Sequence, residues 1–185
     1  MASVFTHAFV ALAAGKVYAD EDAPARFWFL SAACAVLPDA DVAGFAFGIA
    51  YGDTFGHRGF THSLLFALLL ALAVVALCFR EGRRGRRAAL VCYFFLVTIS
   101  HALLDMLTDG GLGVALLAPF SGARYFFPFR PVEVSPIGVG SFFSEWGLRV
   151  IKSELLWVWA PSALCVLLVL SFRRVAARET GAAER

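Results

Sequence analysis

The sequence predicts an all-α integral membrane bundle of about five helices: three clear transmembrane spans and two shorter N-terminal helices. Three observations predict it. Hydrophobic residues make up 60% of the 185, and mean hydropathy is +0.75, beyond the apolar share usual in a soluble domain. Apolar runs of helical length recur along the chain. Charged residues are only 16% and gather between those runs. One membrane-embedded domain, residues 1–178, suits this length, followed by a polar cytoplasmic tail at 179–185.

Phe5 to Tyr18 and Phe27 to Leu37 read as short apolar helices, tilted or partly inserted. The first lacks a preceding Lys or Arg, so it does not read as a cleaved leader. Pro38 ends the second. His62 to Phe79 and Ala88 to Leu107 are the clear spans, the former reaching roughly 27 Å at ~1.5 Å per residue. An aromatic loop at 112–153 follows. Leu155 to Phe172 is the third span, with a kink expected at Pro161. Cys34, Cys78, Cys92 and Cys165 stand singly in apolar surroundings and lack the spacing of a disulfide or thiolate metal site.

Basic residues orient the spans. Arg80, Arg83, Arg84, Arg86 and Arg87 crowd one short connection, and Arg173, Arg174 and Arg178 follow the last span. Alternation from that anchor places eleven of the sixteen Lys and Arg in the cytoplasm. Arg58, Arg124, Arg130, Arg149 and Lys152 fall outside. A formal charge of +2 gives no reason to expect nucleic acid. The same alternation carries His7, Asp39, Asp41, His62, His101 and Asp105 to the extracytoplasmic boundary of an inner-membrane, multi-pass protein.

Imidazole and carboxylate are ligands of zinc and related divalent metals, and ionisable groups in an apolar bundle mark function. His101 and Asp105, four apart, share one helix face. His57 and His62, five apart, cannot share one helix face, but Gly56 and Gly59 permit a loop that folds them together, with Thr61 capping the next helix. Asp39 and Asp41 alternate in an extended stretch, so one binds metal while the other orients a histidine. The expected metal ligands are thus His7, Asp39, His57, His62, His101 and Asp105, enough for one or two ions, zinc foremost, with manganese or magnesium as alternatives. Asp109 and Asp41 are the expected proton-handling carboxylates. Arg58, Arg124 and Arg130 are expected to hold an anionic group.

The string Thr6-His7, Leu37-Pro38-Asp39-Ala40-Asp41, His57-Arg58-Gly59-Phe60-Thr61-His62-Ser63 and His101-Ala102-Leu103-Leu104-Asp105 resembles the YdjM-like family, membrane-bound metal-dependent hydrolases under LexA control. The resemblance spans roughly residues 1–130. That family is in turn distantly similar to zinc-dependent phospholipase C and the P1-type nucleases, which implies phosphoester chemistry by analogy of fold. The expected activity is hydrolysis of a phosphate ester of a lipid or lipid-linked molecule. The bilayer is a partner, nucleic acid is not, and oligomeric state is open. A divalent-metal transporter and a non-enzymatic protein with a structural metal are the alternatives.

Overall fold

A computed structural model describes residues 1–19, 22–81 and 83–183. Among these there is no strand. The helices are α1 (Val4–Tyr18), α2 (Ala25–Val36), α3 (Leu64–Cys78), α4 (Arg84–Met106), α5 (Val139–Phe142), α6 (Glu145–Glu154) and α7 (Ala160–Ala183). Two 3-10 segments, Leu37–Phe47 and Phe60–His62, and a π turn, Leu155–Trp159, complete the set.

The helices long and apolar enough to cross a membrane differ in part from those expected. They are Ala25–Phe47, Arg84–Met106 and Glu145–Ala176. The α-helix of the second apolar segment ends at Val36, as Pro38 predicts, but a 3-10 run continues from Leu37 to Phe47, because a proline at its start needs no amide hydrogen there. The helix axis therefore runs on to Phe47. Conversely α3 is only 15 residues, roughly 22 Å. Its cap is Ser63, whose hydroxyl accepts from the Phe66 amide at 3.1 Å, not Thr61. Pro161 is accommodated by the π turn just before it. The tail expected at 179–185 continues α7 through Ala183, and Arg185 lies outside the described residues.

α4 is the hub. Phe94, Val97, Tyr93 and Leu90 pack with Ala11, Phe27, Ala35, Ala71 and Val75 from α1, α2 and α3. Gly15 permits this closeness: a β-carbon there would meet the Trp28 ring at 2.7 Å. Inside the bundle the Tyr93 hydroxyl donates to Ser31 Oγ at 2.8 Å, satisfying both. α7 and the π turn before it join the bundle through α1, where Phe9 stacks on Trp159 of the π turn and the Trp159 indole donates to Thr6 Oγ1 at 2.6 Å. Leu164, Leu167 and Leu168 of α7 face outward, the surface a lipid phase covers. All four cysteines are free. The arginine-rich connection between α3 and α4 sits at one end of the bundle. The other end collects the start of α1, the end of α2, the loop before α3 and the end of α4.

Candidate metal centre

At that end four ligand atoms face one another. His101 Nε2 lies 3.0 Å from His62 Nε2 and 3.3 Å from Asp39 Oδ1. His62 Nε2 lies 3.6 Å from both Asp39 Oδ1 and Asp105 Oδ2. A tetrahedral ion with bonds of ~2.0–2.1 Å separates its ligands by roughly 3.3–3.4 Å, so these spacings suit one such ion. Each histidine is aimed by its other nitrogen. His101 Nδ1–H donates to the Ala35 carbonyl at 2.7 Å. His62 Nδ1 faces Thr61 Oγ1 at 3.0 Å and Asp41 Oδ2 at 3.2 Å. These bonds turn both Nε2 lone pairs inward.

The buried groups also ask for a cation. Both oxygens of Asp39, both ring nitrogens of His7 and Nε2 of His57 are buried without a hydrogen-bond partner. Orphaned carboxylate oxygens are costly and rare, and a divalent ion satisfies them. Burial opposes a charge on His62, yet the surrounding carboxylates of Asp105, Asp39 and Asp41 outweigh it and raise the imidazolium pKa to about 10.

Asp41 does something different. Its carboxylate accepts from His57 Nδ1 at 2.7 Å, from Thr61 Oγ1 at 2.7 Å and from the Arg58 amide at 3.2 Å. The 2.7 Å spacing is a hydrogen bond and is shorter than two ligands of one ion allow. Asp41, His57 and His62 form a second cluster, but it shares His62 with the first. The stretch carrying Asp39 and Asp41 is 3-10 helix, not extended, and the two carboxylates approach His62 from its two nitrogens.

This geometry accompanies a sequence relationship. The family model described as "YdjM inner membrane protein" matches residues 1–179. The chain belongs to that family. It is 46% identical over 167 residues to "Inner membrane protein YbcI" of Escherichia coli (strain K12), covering 89% of this chain and 94% of that one. No solved structure matches.

The YdjM-family chain places the remaining expected residues less simply. Arg58 is wholly buried and adopts a left-handed backbone with φ 61°. Its Nε donates to Asp105 Oδ2 at 3.0 Å, Nη1 to the carbonyls of Gly110 and Leu112, and Nη2 to Thr108 Oγ1. A guanidinium so enclosed steadies the site and is not free to grip a substrate, which corrects the expected role. Arg124 likewise reaches the carbonyls of His57, Arg58, Gly113, Tyr51 and Asp53, pinning the loop. Arg130 is exposed, with its guanidinium over Phe126 at 4.7 Å. Asp109 is a second correction: α4 stops at Met106, and the exposed Asp109 carboxylate accepts from the Val134 amide at 2.8 Å. His7 stacks on His101 at 3.7 Å, with Nε2 3.5 Å from Asp105 Oδ1.

Two participants had no sequence signal as such. The Ala35 carbonyl is any helix-end carbonyl until His101 finds it. Thr61 was legible as polar but not as the hydroxyl linking Asp41 to His62. The loop itself was legible: a β-carbon at Gly59 would meet the Thr54 carbonyl oxygen at 2.3 Å, so only glycine permits the winding that brings His57 within 5.5 Å of His62.

Proposed function

We propose that this protein is a membrane-bound metal-dependent hydrolase acting at the extracytoplasmic face on a phosphate ester of a lipid or lipid-linked molecule. One observation carries the reading: a buried nest of Asp39, His62, His101 and Asp105 with both Asp39 oxygens unpartnered, at helix ends beside an aromatic loop. Asp39, His62 and His101 would hold one divalent ion, with the already bonded Asp105 beside them. Two imidazoles favour zinc over manganese or magnesium. The ion supplies polarisation of a water and of a phosphoryl oxygen. Asp41 orients both histidines of its loop. We assign proton exchange to His57 Nε2, buried and unpartnered, in place of Asp109 and Asp41, the carboxylates first expected to handle it. Arg130 is the basic group free to meet the anionic ester.

A second reading, a purely structural ion, is favoured by the count, since four protein ligands close a tetrahedral site. Against it, Asp105 already accepts from Arg58 Nε and from the Ala2 amide at 2.7 Å, leaving three less committed ligands. A transporter is disfavoured because His62, His101 and Asp105 stand at helix ends. Cobalt-substituted protein separates the readings. A visible spectrum that shifts when inorganic phosphate is added supports the hydrolase. A spectrum indifferent to phosphate, or protein whose His101→Ala variant binds cobalt unchanged, overturns it.

A further inference from the structure

A groove of about 280 Å³ lies between the start of α1 and the segment 135–143. Val4, Phe5, Pro136, Phe142 and Phe143 form most of its wall, and Met1 also lines it. Phe5 and Phe142 rings pack at 5.8 Å, while Phe143 is 81% exposed at the rim. Such a predominantly apolar lining suits an alkyl chain.

We infer that this groove holds the acyl chain of the lipid phosphoester whose polar end meets the metal centre, an inference that rests on the hydrolase reading. Two relationships carry it. The groove floor is Ser3, and the adjoining Ala2 amide donates to Asp105 Oδ1 at 2.7 Å, so the apolar groove and the ligand nest share one short stretch of backbone. Ser3 is fixed there by buried Glu154, which accepts from both its amide and, at 2.6 Å, its hydroxyl. The floor is therefore rigid and does not collapse into the groove. Second, the groove rim joins an apolar exterior. Phe5 and Phe143, and Leu155 and Leu156 on the π turn packed against α1, are exposed in a protein of an inner-membrane family. The ligand available to such a surface is a lipid chain.

The test uses the full-length protein in micelles, phosphatidic acid with a photoreactive acyl chain, and long-chain and short-chain phosphatidic acids as substrates. Val4 is half exposed on the first turn, so Val4→Trp fills the groove without disturbing the core. The labelled segment is expected to be 135–143. Val4→Trp is expected to cut labelling about tenfold and to raise KM for the long-chain ester about tenfold relative to the short-chain one. Leu168→Trp, on the outward face of α7, changes neither. Labelling and the KM ratio unmoved by Val4→Trp overturn the groove. Labelling that Val4→Trp abolishes, without turnover of either ester by the native protein, supports the groove as a lipid site and overturns the hydrolase reading instead.

Discussion

The Nε2 atoms of His62 and His101 face each other across 3.0 Å while each ring's Nδ1 is bonded elsewhere. Two lone pairs so placed repel unless a proton or a metal ion lies between them. The competition between those two makes the site's behaviour depend on pH.

Cation binding must displace the His62 proton, whose pKa in the metal-free protein is about 10. Apparent affinity for zinc should therefore rise about tenfold per pH unit across the accessible range below that value. Competition titration with a chelating dye at several pH values measures the slope; a flat profile contradicts the assignment. The metal-free fold behaves oppositely. A folded pKa raised above 6.5 contributes stability that is complete below pH 6.5 and is lost as pH climbs through about 10.

Asp41→Asn should weaken metal binding without abolishing it. The residue aims His62 and His57 and is not itself needed as a ligand, so a loss of roughly 10–100-fold is expected. Asp39→Asn and His101→Ala should lose binding altogether. Isothermal titration ranks the three.

Arg58→Met should destabilise the fold by about 3–5 kcal/mol, because Asp105 keeps its burial and loses its guanidinium. Thermal denaturation in detergent reads the change. An Arg58→Met protein as stable as the native one would show that Asp105 finds its compensation elsewhere.

Asp109→Ala should leave metal content untouched. Its exposed carboxylate serves one amide of the loop, and losing that bond costs about 0.5–1.5 kcal/mol. Elemental analysis of the purified variant decides; loss of the ion would restore Asp109 to the site.

Much of this was legible beforehand because it is local. The four-residue spacing of His101 and Asp105 fixes a shared helix face whatever surrounds it, and the pair does meet one nest. The arginines between α3 and α4 mark one end of the bundle, and the histidines fall at the other. Arg58, by contrast, reads in the sequence as a free cation beside a histidine. Its enclosure depends on Asp105, Thr108, Gly110 and Leu112, some fifty positions away.

The sequence by itself determined that the chain is helical and membrane-borne, with its imidazoles and carboxylates near helix ends, since apolar periodicity and charge placement act over one or two turns. Only the tertiary structure decided which of those groups converge. The 3-10 run after α2 sets Asp39 and Asp41 against opposite nitrogens of His62, and the α1 start reaches Asp105 from 103 residues away. Such pairings follow from how whole helices pack, and no local spacing encodes them.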